Sequence, residues 1–98
     1  MRNYELALIA DPEMDDTTLP ELEQKVSAWI ENAGGKVLNI DRWGKRRLAY
    51  AIRKRNEGHY YIIQMQIPPQ AGVEIEREMR LNEQILRYMI SSVEPPSS

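Results

Sequence analysis

The sequence predicts an α+β domain, a four-stranded antiparallel sheet with two helices on one of its faces. Three observations carry that prediction. Four stretches alternate apolar and polar residues, the period of a half-buried strand. Two others place apolar residues at helical spacing, one after the first strand and one after the third. The order is therefore β-α-β-β-α-β, and right-handed crossovers put both helices on the same side.

The first strand is read over YELALIA, 4–10, where Tyr4, Leu6, Leu8 and Ala10 share one face. Asp11-Pro12 ends it, because proline has no amide hydrogen to give a ladder. Thr18-Leu-Pro-Glu21 has the form of a capping box, with Asp15 and Asp16 just ahead at the positive end of the helix dipole. Leu19, Leu22, Val26, Ile30 and Ala33 follow on one helical face, and Gly34-Gly35 supplies the stop. Residues 36–53 read as one long strand bent at Gly44, with Asn56-Glu57-Gly58 as the turn. In HYYIIQMQI, 59–67, Tyr61, Ile63, Met65 and Ile67 alternate against Tyr60, Ile62, Gln64 and Gln66.

Pro68-Pro69 stops that strand, and Ala71, Ile75 and Met79 mark the buried side of a second helix. Ile85 to Val93 is the last strand. The expectation is one domain over residues 1–93 and a short flexible tail over 94–98. This is the ferredoxin-like plan. Its open sheet face should display Tyr60, Ile62, Arg87 and Met89, and Tyr60, Ile62 and Met89 are candidates for contact with a protein neighbour.

Composition removes several functions. With no cysteine and His59 alone, neither a disulfide nor a Cys/His zinc site can be built. Nucleophilic catalysis would need Ser or Thr beside a base, and of the serines Ser27 lies mid-helix while 91, 92, 97 and 98 cluster at the C-terminal end. Acylphosphatase-type enzymes share the ferredoxin-like plan, but here the loop after the first strand is DPEMDD, which repels an acyl phosphate. The sequence therefore predicts no catalysis and no metal. No run approaches the roughly 20 apolar residues of a membrane span, and MRNYELALIA is a poor signal peptide, so the expected address is the cytoplasm.

Charge is the informative feature. RWGKRRLAYAIRKR, 42–55, holds seven of the thirteen Lys and Arg and no acid, while residues 1–35 carry eight acids against Arg2 and Lys25. Bases on an edge strand can simply guard against aggregation. That explains some of the charge, but not seven bases uninterrupted by an acid. Five of the seven are Arg, the residue that forks onto phosphate and stacks on bases. The candidate RNA contacts are therefore Arg42, Trp43, Lys45, Arg46, Arg47, Arg53, Lys54 and Arg55, with Arg2, Arg80 and Arg87 as a second tier.

Trp43 stands equally as a base-stacking ring or as a ring packed beneath the bend. Strand parity places Arg47 and Arg53 outward, and Arg46 inward with Leu48, Tyr50 and Ile52, unless the bend re-aims it. His59 reads as a structural residue. An RNA-recognition motif has the same element order, but GHYYIIQM lacks its second glycine and basic start. Recognition of RNA shape and backbone is favoured over reading of single-stranded bases.

MRNYEL, WGKRRLAY, GHYYII and LNEQILRYMI, in this order over residues 1 to about 93, together resemble the bacterial small-subunit ribosomal protein six family. One departure is Ala51, where the family carries proline, and it predicts a less kinked strand. The resemblance implies a structural protein of the small ribosomal subunit, not an enzyme, that needs no cofactor. It further implies binding to the central domain (platform) of small-subunit ribosomal RNA, as a heterodimer with ribosomal protein eighteen of the same subunit. The ribosome could be that of a bacterial cytoplasm or of a plastid. On this reading the acidic half attracts the positively charged partner. The alternative is a non-ribosomal ferredoxin-like module for protein interaction or oligomerisation.

Overall fold

The computed structural model describes residues 1–93; the tail expected over 94–98 lies outside the described residues. Strand β1 (Arg2–Ala10) is followed by helix α1 (Thr18–Asn32), then β2 (Lys36–Ile52) and β3 (Arg55–Ile67). A short 3-10 turn (Pro69–Ala71), helix α2 (Gly72–Leu81) and β4 (Ile85–Ser92) complete the order. The sheet runs β2-β3-β1-β4, antiparallel at every pairing. This is the architecture the alternation and helical spacing predict.

The core lies between the sheet and the two helices. Leu6, Leu8 and Ala10 of β1 and Tyr61, Ile63, Met65 and Ile67 of β3 meet Leu22, Val26 and Ile30 of α1 and Ile75 and Met79 of α2. Leu6, Met65, Ile67, Ile30 and Ile75 are wholly excluded from solvent. Burying each such side chain contributes about 1.5–3 kcal/mol relative to leaving it exposed.

Two local readings are corrected. The start of α1 is held not by a Thr18–Glu21 box but by the same device three residues earlier. Asp15 Oδ1 accepts the amides of Thr17 and Thr18 at 2.9 Å, and Thr18 Oγ1 accepts the Asp15 amide at 2.9 Å. These bonds hold the Asp15 carboxyl below its usual value, the Thr18 amide contributing most. The Leu19 amide already bonds the Asp15 carbonyl, so the first helical turn opens at Asp15.

The second correction concerns the hairpin. The turn is not Asn56-Glu57-Gly58 but the two residues Arg53 and Lys54, with φ of +49° and +67°. Positive φ at both central positions is the mark of a type I′ hairpin turn, which normally selects Asn and Gly. Gly58 is needed elsewhere. It is buried in β3, opposite Arg46, where an added Cβ would lie 2.4 Å from Ile9 Cγ2 and 3.1 Å from the Ala10 carbonyl oxygen. The glycine lets β3 pass against the end of β1, and two basic residues occupy the turn instead.

Candidate nucleic-acid interface

Strand β1 ends at Ala10, opposite His59, but the β2–β3 hairpin continues past it. Residues 46–57 form a two-stranded arm on which Leu48 alone is buried. The arm is irregular because β2 is longer than the strand it pairs with. Gly44, with φ of +79°, follows a bulge at Trp43, as expected from the glycine. Nearer the tip, residues 48–51 of β2 lie opposite the single Asn56 of β3. The largest irregularity of the hairpin thus falls over the segment that contains Ala51.

Bulges break the alternation on which parity depends. Tyr50, expected on the inward face, is 61% exposed, and Arg53 stands in the turn rather than on a strand. Parity thus fails for Tyr50 and Arg53, while Arg47 is exposed as it predicts. Arg46 is neither inward nor free. Its guanidinium sits 5.3 Å from the Trp43 ring centre, and its Nε donates to the Trp43 carbonyl at 3.3 Å. Trp43 is 45% exposed, with its indole N–H on Asp41 at 3.0 Å, so it is not packed beneath the bend.

The basic run is divided by its partners. Arg42 forks onto Glu23 of α1, with Nη2 at 2.6 Å and Nε at 2.9 Å from its two carboxylate oxygens. Arg55 holds Glu13 at 3.1 and 3.3 Å and Asp11 at 3.5 Å. Arg53 donates to the Glu83 carbonyl at 3.4 Å, and Arg87 of β4 donates to the Tyr50 hydroxyl. The tip thus curls back over the loops that follow β1 and precede β4. Lys45, Arg47 and Lys54 have no ion-pair partner among the described residues.

Arg80 ends α2 near the same end of the molecule, whereas Arg2 begins β1 beside Ile67 at the opposite end. His59 serves structure, its Nε2 lying 3.0 Å from the Met14 carbonyl oxygen. Sequence reasoning missed Asp11, Glu13 and Glu23. The acidic first third of the chain was the available signal, and part of that charge is spent on the chain's own arginines.

On the open face, Ile9 and Ala7 lie opposite Tyr60 and Ile62, and Ala7 also faces Met89. Together they line a shallow apolar depression of about 200 Å³, with Arg87 at its margin. The structure thus brings Tyr60, Ile62 and Met89 together. Among the described residues no group of three or more His, Asp and Glu is placed to hold a metal ion, and no helix is long and apolar enough to cross a membrane.

Behind the Arg42–Glu23 pair, Tyr61 is buried in the core. Burial first, and the Glu23 carboxylate second, push its phenol up from 10.0 to about 12. The folded state therefore favours the protonated phenol. Its contribution to stability is complete below pH 10.0 and is lost as pH rises through about 12. Ultraviolet titration should show one of the five tyrosines ionising late, and Tyr61→Phe should remove that step. Five tyrosines ionising together near pH 10.0 would contradict it.

Comparison with known proteins assigns this architecture. The family model described as ribosomal protein S6 matches residues 3–92. A small ribosomal subunit protein bS6 of Beutenbergia cavernae is 47% identical over 87 residues, covering 89% of this chain and 91% of that one. One from Moorella thermoacetica is 33% identical over 98 residues and covers both chains completely. The crystal structure of 30S ribosomal protein S6 from Thermotoga maritima superposes with a TM-score of 0.88 at 31% identity, over 94% of this chain and 87% of that one. The agreement runs from β1 to β4 in sequence and in fold, and the chain belongs to the ribosomal protein S6 family, structural proteins of the small ribosomal subunit rather than enzymes.

Proposed function

We propose that the protein binds the central domain of small-subunit ribosomal RNA, in the platform, as a heterodimer with small-subunit ribosomal protein eighteen. It acts in the cytoplasm as part of the ribosome and needs no cofactor. The observation that carries this reading is the basic arm and its base: Lys45 at the base and Arg47 and Lys54 on the arm, exposed and without carboxylate partners among the described residues, on a chain of net charge −2. Clustered cations on an acidic protein guide a polyanion to one place. The Trp43–Arg46 stack beside them offers a flat surface to a base or sugar, and Arg80 and Arg2 are second-tier phosphate contacts.

The partner protein is assigned to the apolar depression around Tyr60, Ile62 and Met89. A net-acidic protein gains RNA affinity from a basic partner. The test is platform RNA affinity with and without protein eighteen. The isolated chain should bind poorly, and the partner should raise affinity by roughly a hundredfold or more, the scale set by a few added phosphate contacts. Equal affinity in both cases would count against the heterodimer. No binding in either case would count against the RNA assignment.

A further inference from the structure

We infer that Arg42 and Arg55 are braces of the arm rather than phosphate contacts, and that Glu13, Asp11 and Glu23 are positioning residues for RNA binding. The inference rests on the proposed RNA role of the arm and assigns separate tasks within it. A guanidinium carries five N–H donors in a fixed fork; a carboxylate that takes one two-donor edge offsets its charge and fixes its pose, which weakens its pull on a phosphate although three donors remain. Arg42 is held in this way by Glu23, whose side chain is only 16% exposed. Arg55 is held by Glu13 through two nitrogens and by Asp11 through a third.

The loop that carries Asp11 and Glu13 is itself fixed. Asp11 Oδ1 accepts the Glu13 amide at 2.9 Å, and the Met14 carbonyl of the same loop meets His59. The braces are also well spaced along the arm. Glu23 holds its base through Arg42, while Asp11 and Glu13 hold its tip through Arg55, next to the strained Arg53-Lys54 turn. The Tyr50–Arg87 and Arg53–Glu83 contacts hold the same tip from the β4 side. A two-stranded ribbon with one buried residue has little else to fix its pose. Arg47 and Lys54 are then presented from a preset arm, with Lys45 at its base, which lowers the ordering cost of binding.

Salt dependence separates the two roles, because only a phosphate contact releases counterions. Affinity of the heterodimer for platform RNA is measured across a salt series. Lys54→Gln should lower the log–log slope by roughly 0.7 to 0.9. Arg55→Gln and Glu13→Gln should both weaken binding while leaving the slope unchanged. Tighter binding by Glu13→Gln would show the carboxylate to be only a repulsive neighbour, and a slope loss in Arg55→Gln equal to that in Lys54→Gln would make Arg55 a contact; either result overturns the inference.

A second measurement needs no RNA. Amide hydrogen exchange over residues 46–57 in the free protein should quicken by roughly two- to fivefold in Glu13→Gln, the range a surface ion pair can sustain. Unchanged exchange overturns the brace. Loss of RNA binding by the parent heterodimer would defeat the proposed function instead, and the exchange result would still decide this inference.

Discussion

Gly58→Ala should destabilise the protein by about 1–3 kcal/mol, the usual cost of forcing a methyl group into a well-packed site. The new Cβ would lie 2.4 Å from Ile9 Cγ2 and 3.1 Å from a backbone oxygen. Ile9 is β-branched and stiff at its first torsion, so the clash cannot be relieved by swinging a long side chain aside. For a chain of this size the expected fall in Tm is about 4–8 °C per kcal/mol. Gly72→Ala is the matched control. An added Cβ there meets nothing within 4 Å, and alanine in a helix is neutral or stabilising by up to about 1 kcal/mol. Thermal unfolding of both variants checks the pair; equal Tm values for Gly58→Ala and the parent would mean that β3 does not pass so close to β1.

The second large effect concerns the arm. Replacing Lys45, Arg47 and Lys54 together by Gln should lower heterodimer affinity for platform RNA about a hundredfold at physiological salt. The log–log salt slope should flatten by about 2 to 3 units, as expected for three lost phosphate contacts. These residues are exposed and have no ion-pair partner among the described residues, so Tm should change little. An unchanged affinity and slope would make the arm an edge guard against strand pairing and remove it from the RNA surface.

Most of the fold was legible because strands β1, β3 and β4 and both helices bury one face each. Leu6 and Leu8, Tyr61 to Ile67 in steps of two, and Ile75 and Met79 at helical spacing all read directly as core. The arm was less legible for the converse reason. With Leu48 as its only buried residue, it has no hydrophobic face to fix a period, and bulges at Trp43 and over residues 48–51 shift the pairing register. Its turn broke a local rule: Asn56-Glu57-Gly58 looks like a turn, but Gly58 was claimed by the approach of Ile9.

The division of the basic run was not legible at all. Arg42 and Glu23 are 19 residues apart, and Arg55 and Glu13 are 42 apart. The first pair follows from the crossover that places β2 beside α1, and the second from the pairing of β3 with β1, which carries the hairpin tip over the loop after β1; neither follows from a local pattern. The charge asymmetry was visible, and the acids read as an attraction for a partner protein. Three of them instead hold the chain's own arginines.

The central claim is that this chain is a small-subunit protein that reaches ribosomal RNA through its arm. Sucrose-gradient sedimentation of lysate from cells expressing the tagged chain tests it most directly, with the Lys45, Arg47 and Lys54 triple variant run beside it. The parent should migrate with 30S and 70S particles, and the folded triple variant should shift toward the top of the gradient. Recovery of the parent only at the top, free of ribosomal RNA, would contradict the account.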